Sequence, residues 1–285
     1  MKTAPTDRHV VTRRRRSKNG CRLSAGTLIG VALTLAVSPA PAPAQDMMQH
    51  LDFSSPEMTE AELSRDQVAD MLATATSSAP ADFTGKRLNG LDLSKLDFSG
   101  AILRSARLNK TDLSGAKLTG ASLDQAWLRE ARLTGADLRE ASLFQAQLIG
   151  AVLDNADLSG ARLPANLTDA SLKGARLRGA DLSADMRNQS MGLIGGVLRS
   201  ADLEGADLSG ANLSRADLEF ASLRDADLSG ANLSRAKLGG ADLTGAKIDG
   251  ADFSGADVDS ARLIDLRGAG NANIEEAENL KKALR

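Results

Sequence analysis

The chain has 285 residues, 42% hydrophobic and 25% charged, with a formal net charge of −2, which is enough for one or two ordinary cores. Six Phe, one Trp and no Tyr are too few rings for a base-stacking platform that reads single-stranded nucleic acid, or for an aromatic-lined ligand pocket. One Cys and two His exclude a disulfide framework, a Cys/His zinc site and most catalytic sets that pair a nucleophile with an imidazole.

Residues 1–44 have the order of an export signal: a basic region through Arg22, an apolar stretch from Leu23 to Val37, then PAPAPAQ. Ala42 and Ala44 form an A-x-A site, which places cleavage between Ala44 and Gln45. A retained anchor is disfavoured, because a spanning helix needs about 20 apolar residues and Gly26, Gly30 and Pro39 interrupt this one. The expectation is an exported protein, periplasmic or secreted, with no membrane span after signal cleavage. TRRRRSK loosely resembles a twin-arginine signal but lacks its apolar residue, so the route stays open between Sec and twin-arginine. Cys21 precedes the apolar stretch, which argues against lipid attachment. Without this basic segment the rest of the chain is acidic, about −9.

Residues 45–80 form an N-terminal segment. Asp46, Met47, Met48 and His50 include soft copper ligands, but a terminal stretch with no metal role is the preferred reading. Thr59 followed by Glu62 forms a capping-box pattern, and Leu63, Val68, Met71 and Leu72 give a partial apolar face. This predicts a capping helix from Thr59 through about Ala73.

From residue 81 the sequence repeats every five residues. Large apolar residues stand at Phe83, Leu88, Leu93, Phe98 and every fifth position to Leu163, giving seventeen repeats. Four follow in a shifted register from Leu167 to Leu182, and fourteen more run from Leu198 to Leu263. An α-helix advances about 100° per residue and a strand about 180°, so five steps of either scatter these side chains over several directions. Only a chain that turns a corner in each repeat, always toward the same inside, hides them together. Two residues before the Leu the residue is mostly small, usually Ala, suited to a crowded corner, and the residue just before Leu is usually Asp, Asn, Ser, Lys or Arg and so faces water. Ser or Thr followed by Gly, as at Ser159 and Gly160, supplies a tight turn through hydroxyl-to-backbone bonding and permissive dihedrals.

Tandem A-(D/N)-L-x-x resembles the pentapeptide repeat family, over about 190 residues. The resemblance implies an all-β solenoid, a right-handed quadrilateral parallel β-helix with four repeats per coil, here residues 81–270. Lys86, Leu91, Leu96 and Thr111 replace the small residue, so less regular first coils are expected.

The stretch 183–195 interrupts the repeat and contains Met186, Arg187, Asn188, Gln189 and Met191. It reads either as a bulge tucked partly into the core or as a partner-recognition loop on a rigid scaffold. Adding 20 to a residue number predicts stacked columns, among them Arg87, Arg107, Trp127 and Gln147. The single Trp beside two Arg is a candidate anchor for a partner. After the interruption Asp dominates the outward positions.

In residues 271–285, Asn273 and Glu276 repeat the capping-box pattern ahead of Ile274, Ala277, Leu280 and Leu284. Acidic residues come early and basic ones late, matching a helix dipole. A C-terminal capping α-helix is predicted, with a homodimer through this end as its rival role. No catalytic residues, cofactor or metal ligands are assigned and no enzyme is expected. The functional expectation is a scaffold of the bacterial envelope that binds an unidentified protein partner and no nucleic acid, since its mature charge repels phosphate. The alternative is a DNA mimic that inhibits a DNA-binding protein such as gyrase, as some members of the resembling family do.

Overall fold

A Leu at every fifth position reaches a common dry axis only if the backbone bends between one Leu and the next. In the computed structural model, which describes residues 52–184 and 195–285 within the unit Ala42–Arg285, it does so at every repeat. The carbonyl of Leu103 accepts from the Ala106 N–H at 3.1 Å, and that of Leu138 from Ala141 at 3.1 Å, closing β-turns. The third residue of each turn is left-handed. Gly fills it at Gly210 (φ 65°), while Ser105 (φ 54°) and Glu140 (φ 58°) occupy it without Gly's freedom.

Between turns the chain is extended for so short a distance that each side of each coil contributes one β-bridge rather than a strand. The bridges are parallel and sort into four faces. The first runs Asp82, Ile102, Ser122; the second Arg87, Arg107, Trp127; the third Asp92, Asp112, Arg132; the fourth Asp97, Lys117, Asp137. Coils are joined in both directions: Leu138 N–H donates to the Asp157 carbonyl at 2.7 Å, and Asp157 N–H to the Ala136 carbonyl at 2.9 Å. The short extended pieces thereby satisfy their backbone groups from coil to coil.

Inside the four faces the Leu ladder is sealed from solvent, with the Ala residues beside it almost wholly buried. Phe83 and Phe98 meet edge to face at 5.8 Å near the first coil. The expected irregularity there does not break the ladder: Thr111 is fully buried and its hydroxyl donates to the Leu88 carbonyl at 2.7 Å. Register survives both interruptions. Arg162 bridges Asp181 across the deletion, Asn166 bridges Val197 across the insertion, and Leu167, Leu182 and Leu198 all remain buried.

Both ends differ from the sequence expectation. On the N-terminal side there are two helices, α1 (Pro56–Thr59) and α2 (Arg65–Thr74). Thr59 ends the first instead of capping the second. The capping box belongs to Ser64 and Gln67, whose reciprocal bonds measure 3.2 and 2.7 Å. The physical reason is an edge to be closed: Glu62 N–H donates to the Arg87 carbonyl at 2.9 Å and Ala61 makes an antiparallel bridge to Leu88. Residues 60–62 are therefore extended and the helix starts after them. Arg65 then donates to the Asp92 carbonyl and, at 3.0 Å, to the Ser94 carbonyl, while Val68 of α2 is buried against the core.

The C-terminal α-helix expected over residues 271–285 is absent. The chain keeps spiralling through short 3-10 turns at Ala269–Asn271, Ile274–Glu276 and Leu280–Lys282. Glu278 bridges Asp257 and Leu284 bridges Arg262, with Leu263 N–H donating to the Leu284 carbonyl at 2.7 Å. An α-helix would have turned its hydrogen bonds inward and left the last coil's edge unpaired. The apolar spacing of about three that suggested a helix suits 3-10 turns as well, and Ile274 does bury against the core.

Candidate partner-binding face

Arg87 bridges Arg107, Arg107 bridges Trp127 and Trp127 bridges Gln147, so the expected column stands on the second face with one residue per coil. Arg87 and Arg107 are half-buried and Trp127 is exposed, and residues 52–62 of the same chain lie across this face.

The contacts descend coil by coil. The Phe53 ring lies 6.2 Å from that of Trp127 at an interplanar angle of 55°, and the Arg129 guanidinium sits 4.3 Å from the Phe53 centroid. One coil down, Glu57 is 3.6 Å from Arg107; at the first coil Glu62 is 3.6 Å from Arg87 and 3.3 Å from Lys86. Burial pushes the Glu62 carboxyl up, but Lys86 and Arg87 outweigh it and hold the group below its ordinary range.

Two asparagines clamp this segment. Asn89 Nδ2 donates to the carbonyls of Glu57 and Glu60 at 3.2 and 3.1 Å, and Asn109 Nδ2 donates to the Met58 carbonyl at 3.2 Å. Their own side-chain oxygens accept from the backbone one coil on, at Asn109 and Arg129. Beside the clamp is an open cleft of about 260 Å³ lined by Phe53, Met58, Asn109, Lys110 and Arg129 among others. The sequence reading missed Phe53, Glu57, Asn89, Asn109 and Arg129 as members of this surface. A signal for the clamp was present: Asn at the same turn position in repeats twenty residues apart, which stack.

Met186, Arg187, Asn188, Gln189 and Met191 lie outside the described residues. The stretch that contains them leaves the coil after Ala184, whose N–H donates to the Ser214 carbonyl at 3.2 Å, and re-enters where Gly196 N–H donates to the Leu182 carbonyl at 2.8 Å. A Cβ on Gly196 would stand 2.9 Å from that carbonyl oxygen, so this close return requires glycine.

The outward aspartates behave differently from a uniform acidic coat. Asp82 Oδ1 accepts from the Thr84 N–H at 2.8 Å and its hydroxyl at 2.6 Å; Asp207 does the same for Ser209 at 3.0 and 2.6 Å. These are Asx turns, so the hydroxyl bonds the carboxylate rather than the backbone as expected from sequence. The Asp82 carboxyl is held below its usual range by the Thr84 hydroxyl and backbone N–H. Basic residues one coil away accompany others: Lys173 with Asp202 at 2.9 Å, Arg199 with Asp217 at 3.2 Å, Arg224 with Asp242 at 3.1 Å. Among the described residues no group of three His, Cys, Asp or Glu is placed to hold a metal ion, and no helix is long and apolar enough to cross a membrane. Asp46, Met47, Met48 and His50 lie outside the described residues.

A family model described as pentapeptide repeats matches residues 81–184 and 197–263. Among solved structures, the chain is similar to HetL of the cyanobacterium Nostoc sp., a pentapeptide repeat protein involved in heterocyst differentiation regulation. The identity is 34% and the TM-score 0.53, covering 78% of this chain and 97% of HetL. QnrB1, a plasmid-mediated fluoroquinolone resistance protein, aligns at 22% identity and TM-score 0.40 over 68% of this chain and 83% of its own. A pentapeptide repeat protein of the Arabidopsis thaliana thylakoid lumen aligns at 29% identity and TM-score 0.23, over 39% of this chain and 63% of its own. Comparison with curated proteins finds no match.

Proposed function

This chain belongs to the pentapeptide repeat family, whose fold is a right-handed quadrilateral β-helix, and we propose that it is a non-catalytic scaffold of the bacterial envelope that binds a protein partner through its second face. The observation that carries this reading is the alignment of Arg87, Arg107 and Trp127 on successive coils. A rigid ladder fixes their spacing, and a Trp flanked by guanidinium groups is the composition that anchors protein interfaces. The export-type N-terminus supports an envelope location, and the insertion at 183–195 is proposed as a second contact. A homodimer through the C-terminal end, where Leu284 is 52% exposed, is the rival to that end's role as a cap.

The DNA-mimic alternative is weaker for a stated reason. Duplex DNA presents an unbroken run of phosphates, whereas Asp202, Asp217 and Asp242 each have a Lys or Arg within 3.2 Å. The test is co-purification from envelope extracts with the wild-type chain, with Trp127→Ala, and with residues 185–194 deleted. A partner recovered with wild type and lost with Trp127→Ala is expected. Recovery unchanged in both variants contradicts the reading, and gyrase inhibition by the wild-type chain would favour the mimic.

A further inference from the structure

We propose that Phe53 is an intramolecular latch on the second face, and that a partner segment docking there carries the same chemistry: an aromatic ring followed four residues later by a carboxylate. The inference rests on the partner-binding reading above and names the partner's chemical class.

Residues 52–62 are held in two unequal halves. From Met58 onward the segment is fixed: Met58 is buried, Asn109 and Asn89 bind its carbonyls, and Glu62 pairs with the first coil's backbone. Among the described residues, the hydrogen bonds of residues 52–56 are local, such as Ser54 to Asp52 and Met58 N–H to the Ser55 carbonyl. Their attachment to the rod is the Phe53 ring between Trp127 and Arg129, followed by the Glu57–Arg107 pair, whose carboxylate side is 69% exposed. An exposed ion pair and one cation–π contact are both weak, so Phe53 and the Glu57 carboxylate leave the rod while the Glu57 carbonyl stays on Asn89 at 3.2 Å.

The spacing matches the ladder. Trp127 and Arg107 are one coil apart, about 4.8 Å along the axis. Four residues advance that little only because helix α1 begins at Pro56, shortening the path between Phe53 and Glu57. A partner segment with an aromatic residue at the first position and Glu or Asp at the fifth, in a helical turn, places its ring against Trp127 and Arg129 and its carboxylate against Arg107. It does so only when Phe53 has left and the Glu57 carboxylate has swung off Arg107.

Trp127 is the sole Trp of the chain, so its emission reports the site directly. In the full chain, Phe53→Ala removes the ring contact and is expected to change the emission of Trp127 and raise its quenching by iodide, with circular dichroism unchanged. A synthetic peptide of the Asp52–Thr59 sequence should then reverse that change saturably, less so at high salt, and should bind this variant about tenfold more tightly than wild type, whose site is self-occupied. A second variant, Arg129→Ala, keeps Phe53 but loses the guanidinium over its ring and should show a smaller change of the same kind. The proposal is overturned by any of three results: emission that Phe53→Ala leaves unchanged, no saturable response to the peptide, or an equal response to a peptide carrying Ala at the Phe position. If the peptide fails while co-purification still depends on Trp127, the latch falls and the partner-binding reading stands.

Discussion

Asp137 and Leu138 are neighbours in sequence and opposites in environment. Leu138 is sealed in the ladder, while Asp137 sits on the fourth face with Arg139 folded back on it, Nε at 2.8 Å and the terminal nitrogen at 2.6 Å. Leu138→Ala is expected to cost about 2–5 kcal/mol, because the coils above and below cannot close on the cavity. Arg139→Ala is expected to cost about 0.2–1 kcal/mol, the range of an exposed pair. Chemical denaturation of the two variants compares them, and equal midpoints would refute the side-chain assignment. The turn position offers a second comparison. Gly210 is left-handed with open space where a Cβ would go, so Gly210→Ala isolates backbone strain and should lose about 1–2 kcal/mol. Ser200, left-handed at φ 56°, carries that strain already, and Ser200→Gly should gain up to about 1 kcal/mol by the same measurement.

The end elements do a job that no repeat can do for itself. An interior coil finds hydrogen-bond partners above and below, whereas the first and last coils each present one bare edge. At the first, Glu62 and Arg65 cover the carbonyls of Arg87, Asp92 and Ser94. At the last, Glu278 and Leu284 do the covering as an irregular continuation of the spiral. Removing residues 268–285 should therefore expose the edge under Asp257 and Arg262 and give concentration-dependent association. Size-exclusion chromatography across a dilution series measures this; a truncated chain that stays at one elution volume would show that the tail covers nothing that matters. The tail contributes Ile274 to the core as well, so part of the effect is lost burial.

Across the whole molecule, stability is a sum of repeats and their contacts with neighbours, and many of those repeats share one chemical dependence. Asp82, Asp137 and Asp252 each accept from groups two residues on, and each carboxyl is held below its ordinary value. For Asp82 the cause is Thr84; for Asp252 it is Ser254 and Asn273; for Asp137 the Arg139 guanidinium brings the value down to about 2. A carboxyl whose value is lower in the folded chain contributes stability that is fully present above the unfolded value, about 3.9, and is lost as pH falls through the folded one. The urea midpoint is thus expected to be flat above about pH 5 and to drop between about pH 4 and pH 2. A midpoint that rises on acidification would contradict the role given to the Asx turns.

The repeat itself was legible before any coordinates, because its cause is local: a five-residue period excludes helix and strand by simple angles, and Leu, Ala and Gly can each occupy only one kind of place in a corner-turning chain. The alignment of Arg87, Arg107 and Trp127 followed from the same arithmetic. What sequence did not reveal depends on partners far along the chain. The Asx turns reassigned the Ser and Thr hydroxyls, the unpaired edge decided that residues 60–62 are extended and that 271–285 spiral instead of forming an α-helix, and Phe53 met Trp127 only through a fold that brings residues 53 and 127 together. Periodicity fixes which side chains face inward; hydrogen-bond demand at the two ends and long-range contact on one face are satisfied only in three dimensions, and only there did the second face acquire its occupant.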